Sequence, residues 1–139
     1  MHSSEGMLDS LTAPLARYLD LVSARQKLVT SNIANAESVV GPDGLPFRAR
    51  LPVFQAVPQT GHVGRGVAVQ RIVESDAEPR IEYRPGHPMA DARGYVTMSN
   101  VNPAEQMVDM VSASRSYQMN IDIMNMTRQL MLKTFDLGK

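Results

Sequence analysis

The sequence predicts an α+β chain. Two long terminal α-helices pack as a helical hairpin, or coiled coil, with a small central β region at its far end. Three observations lead there. Apolar residues recur at steps of three and four near both ends. Glycine and proline gather in the middle, where the apolar pattern shortens to period two. A helix-start signature stands at Asn102, and no glycine or proline follows it until Gly138 except Pro103 in the first turn. The chain divides accordingly into an N-terminal helical segment (1–38), a β-rich middle (39–98) and a long C-terminal helix (99–139). The two ends form one helical unit.

In the first segment Leu8, Leu11, Leu15, Tyr18, Val22 and Val29 are separated by three, four or seven residues. Leu19, Leu21, Leu28 and Ile33 widen the apolar face. Pro14 has no amide hydrogen to give a helix interior, so the helix is expected to start between Leu11 and Pro14, with residues 1–9 poorly ordered. Gly41-Pro42-Asp43-Gly44 closes the segment as a turn.

The middle alternates at Phe47-Arg48-Ala49-Arg50-Leu51, and Pro52 restricts that strand to an edge or an end. Further strands are expected at Gly66–Val73, Arg80–Arg84 and Gly94–Met98, with loops at 61–66 and 84–88. The result is a β region with many turns and little core. In the third segment Asn102 suits the N-cap, Pro103 the first helical position and Glu105 the third. Met107, Met110, Tyr117, Ile121, Met124, Met131 and Phe135 follow a 3-4 heptad spacing, with Ser114 and Arg128 filling the remaining seam positions. Gly138 is placed as a C-terminal stop.

Each large apolar side chain fully buried gains roughly 1.5–3 kcal/mol, so both stripes need a partner, and each other is the economical choice. Yet Val108, Val111, Met119, Ile123, Met126, Leu130 and Leu132 lie off the C-terminal seam. One partner helix leaves them uncovered, which points to oligomerisation. Ten methionines and no tryptophan suggest a soft, adaptable core.

Several chemistries are disfavoured. The 14 basic and 14 acidic residues balance, so no strong field attracts nucleic acid or anionic lipid. Without cysteine there is neither disulfide nor thiolate metal site. No stretch approaches the ~20 apolar residues of a membrane span, and the first residues do not read as a cleaved secretory signal. His2, His62 and His87 are widely separated and read as solvated. Asp43 and Asp91 suit turns, and Gly61-x-x-Gly64-x-Gly66 lacks the lysine of a phosphate loop. No catalytic residue, cofactor or small-molecule substrate is expected.

Ser31-Asn32-Ile33-Ala34-Asn35-Ala36 resembles the SNIANA signature of the bacterial flagellar rod and hook family of axial proteins. Val40–Ala49 is similar to the GPDGxPYRA segment of its proximal-rod members, and Tyr83–Val96 to their YxPGNPxADxxGYV, with His87 in place of asparagine. Asn100–Met107, Ala113–Gln118 and Met131–Thr134 resemble their C-terminal motifs, whereas Leu15–Asp20 and Arg25–Leu28 look closer to a sibling rod protein. The resemblance implies a structural subunit of the proximal rod, without enzymatic activity, in the basal body that spans the periplasm. It implies export through the flagellar type III apparatus without a cleaved signal, and polymerisation through the terminal helices. Implied partners are copies of the chain, other rod proteins, and membrane-ring and export-gate components. The contact residues expected are Ser31, Asn32, Ile33 and Asn35 at the first helix end, and Met107, Met110, Tyr117, Ile121, Met124, Met131 and Phe135 along the second helix. A small non-enzymatic helical adaptor is the alternative the residues allow.

Overall fold

A computed structural model of the chain describes residues 2–40, 44–58 and 65–138. The turn residues Gly41, Pro42 and Asp43 and most of the Gly61–Gly66 loop, with His62, lie outside them. The described elements run α1 (His2–Ala34), β1 (Arg50–Pro58), β2 (Arg65–Glu74), β3 (Ile81–Tyr83), β4 (Tyr95–Thr97) and α2 (Pro103–Leu137). The helices have 33 and 35 residues, so each extends about 50 Å at 1.5 Å per residue.

They pair antiparallel. Asn32 meets Gln106, Arg25 meets Asp109 and Gln26 meets Ser114. Further along, Pro14, Leu15 and Tyr18 share a groove with Ser116, Met119 and Asn120. This is the expected hairpin, with one correction at its start. α1 does not begin between Leu11 and Pro14; it begins at His2 and carries Pro14 inside. Proline removes one amide donor, the partner of the Ser10 carbonyl. Pro14 is exposed, so water can take the donor's place, and the helix continues at the cost of a single internal bond.

α2 opens as expected. Asn102 is extended (φ −94°, ψ 109°), and its side-chain oxygen accepts from the Ala104 and Glu105 amides at 3.0 and 3.3 Å. Its end differs from the usual glycine stop. Gly138 is right-handed (φ −79°, ψ −3°), and its N–H donates to the Thr134 carbonyl at 3.1 Å as in an ordinary last turn.

Between the helices lie two separate two-stranded antiparallel sheets, β1–β2 and β3–β4. β1 starts three residues later than the alternation at Phe47 suggests and runs on to Pro58, with Pro52 inside it. In a two-stranded ribbon each strand has an open edge, where a missing amide costs no rung. The register shifts between Val53 and Phe54, which pair with Arg71 and Val69, so Gln70 is the extra residue of a bulge. The small β3–β4 sheet is tied to the end of α1 by a Val39–Met98 bridge and by the Val40 amide donating to the Thr97 carbonyl at 2.9 Å.

The buried core sits where these pieces meet. Ala36, Ala49 and Val101 cluster with half-buried Phe47, and Val96, Met98 and Ser99 are fully buried. Methionine fills little of it, contrary to the soft-core expectation. Among the described methionines only Met98 is buried; the others face solvent or lie half-buried. The Asp91 turn is as expected: its carboxylate accepts from the Arg93 and Tyr95 amides, both at 2.9 Å.

Gly94 follows in a left-handed conformation (φ +89°), and a Cβ there would stand 2.8 Å from the Tyr83 ring and 3.0 Å from Pro85. Tyr83 meets the Tyr95 ring at a 60° tilt, with centroids 5.2 Å apart, so a shift away from a Cβ at 94 disturbs that contact. Gly94→Ala therefore adds about 1–2 kcal/mol of backbone strain to a steric clash. The expected result is faster hydrogen exchange across β3–β4 with α2 unaffected, readable by mass spectrometry.

Candidate assembly surface

α2 carries two apolar faces, and its residue order explains both. The face toward α1 is built from two columns. Gln106, Ala113 and Asn120 are buried, with Thr127 half-buried in the same line. Met110, Tyr117, Met124 and Met131 form the adjacent half-buried column. The heptad reading therefore holds for one column only. For the other it is one residue off, since Met107 is 58% exposed, and Ser114 and Arg128 are exposed. The true column is small or polar, and small residues let two helices approach closely, so tight packing rather than apolarity selects it. Ile121 and Phe135 lie half-buried on the flank of this seam.

Across the seam α1 presents buried Val22, Val29 and Asn32, with Leu15 and Leu19 half-buried. The Arg25–Asp109 ion pair (3.2 Å) and the Gln26 amide donating to Ser114 Oγ (3.3 Å) border it. Such partly exposed pairs are worth at most about 1 kcal/mol each, so they set register more than stability. At the end of α1, Asn35 turns its side-chain amide back to the Ser31 carbonyl (2.8 Å), and Ile33 is half-buried. Asn32 is 1% exposed, and its amide is wholly engaged within the chain.

The second face of α2 is uncovered. Val108, Met119, Met126 and Leu130 are each about two-thirds exposed, and Ile123 and Leu137 extend the stripe. From Met119 onward the steps are four, three, four and seven, a second heptad line. At 3.6 residues per turn it lies roughly 90° round the helix from the Ala113–Asn120 column. Toward the start of α2, Met107, Val108, Val111 and Met119, with Arg115, line an open groove of about 500 Å³. Ser116 and Met119 are shared with the groove of about 350 Å³ bordered by Pro14, Leu15 and Tyr18 of α1. The two grooves thus form one continuous, mostly apolar surface over both helices.

Among the described residues no cluster of His, Cys, Asp and Glu suits a metal ion, and no helix is long and apolar enough to cross a membrane. What the arrangement offers is contact area for helices.

Comparison with known proteins agrees in kind. Residues 92–137 match the family model described as the C-terminal region of flagellar basal body rod FlgEFG proteins. The chain is 49% identical over 121 residues to the flagellar basal-body rod protein FlgC of Yersinia enterocolitica, covering 87% of this chain and 90% of that one. It is 49% identical over 117 residues to that of Salmonella typhimurium, with 84% and 87% covered. It is 34% identical over 131 residues to that of Bacillus subtilis, with 83% and 87% covered.

Proposed function

Because the chain belongs to the FlgC family of flagellar basal-body rod proteins, structural proteins and not enzymes, we propose that it polymerises in the proximal rod through its two terminal helices after export in an unfolded state. Membership in the family gives it a structural role in the flagellar basal body. The finer reading rests on one observation, the two-faced α2. One face closes the hairpin within the subunit, and the other, Val108 to Leu137, is left for neighbours.

The division assigns roles to the expected contact residues. Met110, Tyr117, Met124 and Met131 hold the hairpin together and set its shape. Met107, Ile121 and Phe135 stand on its flanks, where a neighbouring helix reaches them. Ser31, Asn32, Ile33 and Asn35 shape the turn at the end of α1. Neighbours are copies of this chain and other rod proteins, with membrane-ring and export-gate components at the base. A head-to-tail contact that uses different patches on its two sides repeats along a screw axis, as a rod requires. Export through a type III apparatus suits a chain without disulfides, whose buried apolar residues are mostly alanine and valine. Such a core is readily kept open.

The test is a double substitution on the outward face, Met126→Asp with Leu130→Asp. Both side chains are exposed, so the isolated subunit should keep its helix content and thermal midpoint. Two carboxylates buried against a neighbour's apolar surface should prevent rod formation, leaving cells non-motile and without basal bodies in electron micrographs. Normal rods in that strain would sink the proposal.

A further inference from the structure

We propose that Asn32 and Asn100 form a two-point amide clamp that makes the pose of the β1–β2 ribbon conditional on the pairing of α1 with α2. The inference does not depend on how subunits assemble.

The ribbon needs such a device. A lone two-stranded hairpin is marginal in water. This one lacks a core of its own, with Leu51, Phe54, Val67 and Ile72 all 43% exposed or more. Its backbone is instead gripped at the base by two side chains from the helical part. Asn32, in the last turn of α1, accepts from the Arg50 amide and donates to the Arg50 carbonyl, both at 2.9 Å. Arg50 is the first residue of β1, and with both its polar groups turned to Asn32 it has none turned to β2. Asn32 therefore sits on the free edge of β1 as a one-residue substitute strand.

Asn100 acts on the other side. Its side-chain oxygen accepts from the Ala49 amide at 2.7 Å, and its amide donates to the Ser75 and Ala77 carbonyls at 3.1 and 2.8 Å. The Ser75 amide donates to the Ala49 carbonyl at 2.8 Å, so Ala49 and Ser75 face each other across the ribbon's open end. Asn100 fills the gap between them.

Both clamp residues are themselves fixed by helix pairing. The Asn32 amide also donates to Gln106 Oε1 at 3.2 Å, and Gln106 is a buried residue of α2. That bond forms only when α1 and α2 are in register. Asn100 lies two residues before the α2 N-cap, beside fully buried Ser99 and Val101. An amide suits both places because it alone offers a donor and an acceptor side by side, matching a peptide's own pair. If the helices part, α2 carries Asn100 and Gln106 away: the ribbon loses the Asn100 grip, and the Asn32 amide loses the bond that fixes its orientation toward Arg50.

The chain has no cysteine, so spin labels can be placed at will. One pair, Gln55→Cys with Ser112→Cys, spans ribbon and α2 at exposed positions. A second pair, Arg17→Cys with Arg128→Cys, spans the two helices as an internal control. Pulsed electron–electron distance measurements on the full chain should give a narrow ribbon distribution in the parent. They should show at least a twofold broader one in both Asn32→Ala and Asn100→Ala, with the helix pair unchanged. Asn120→Ala, which removes a buried seam amide bonded only to its own helix, should leave the ribbon narrow. A broad parent, equally narrow clamp variants, broadening in Asn120→Ala, or helix and ribbon pairs broadening together would each overturn the proposal. Asn100 lies outside both helices, so its variant keeps the test decisive if Asn32→Ala disturbs α1.

Discussion

Ala113→Glu is expected to open the helical hairpin, while Ser114→Glu, one residue along, leaves it closed. Ala113 has no solvent exposure and lies between the two points where α1 reaches across, at Asp109 and Ser114. Among the described residues the cation that reaches α2 there is Arg25, already paired with Asp109. A glutamate at 113 thus brings both excess volume and an uncompensated buried charge, worth roughly 3–5 kcal/mol. Against a total stability of about 5–15 kcal/mol that is a large share, and the thermal midpoint should fall by on the order of 10 °C or more. Ser114 is exposed and loses only its contact with Gln26, so its variant should stay within about 0.5 kcal/mol of the parent. Thermal denaturation with size-exclusion chromatography separates the outcomes. Equal losses in the two variants would mean that the seam runs along the Met107–Ser114 column after all.

Met98→Ala is the second large effect. Met98 is fully buried, its amide donates to the Arg80 carbonyl at 2.8 Å, and its strand position bridges to Val39. It stands where the chain leaving α1 meets the chain entering α2. Truncation leaves a cavity at the buried junction of the β3–β4 sheet with the segment that follows α1, at about 2–5 kcal/mol. Met126→Ala, on the exposed face, should change stability by less than about 0.5 kcal/mol. Urea unfolding gives both numbers, and a midpoint for Met98→Ala equal to that of Met126→Ala would refute the assignment of the core.

These two residues also show how far the sequence can be read. The hairpin was legible because periodicity and capping agree: Val22, Val29, Met110 and Tyr117 fall at helical steps, and Asn102 and Pro103 mark a start. The second seam column was not, because of Gln106, Ala113, Asn120 and Thr127 only Ala113 is apolar, and it is small; what qualifies them is size and hydrogen bonding. Met98 looks like any other methionine in the chain, since burial depends on where distant segments meet. The start of α1 was misread because proline is a strong helix breaker in general, and its exposure here weakens the effect. The later part of β1 was obscured by Pro52 and Pro58, which an open-edged ribbon tolerates. Asn32 stood out only through the SNIANA resemblance, and its bonds to a residue 18 positions away have no local pattern to betray them. The outward stripe, by contrast, was largely legible: the apolar residues left over from the seam are exposed, and Met107, expected on the seam, and Leu137 join them.

The junction of Asn32, Gln106 and Arg50 sits at one end of a helix pair about 50 Å long. Geometry makes that pair a lever. A tilt of about 5° at the junction sweeps the far tips through roughly 4 Å, close to the spacing of neighbouring strands. Where the distant ends of the helices point is therefore sensitive to angular play at this junction, and the Asn32 bonds, the Val39–Met98 bridge and the Arg80 and Ser99 side chains on the Ala36 carbonyl together stiffen that small fulcrum.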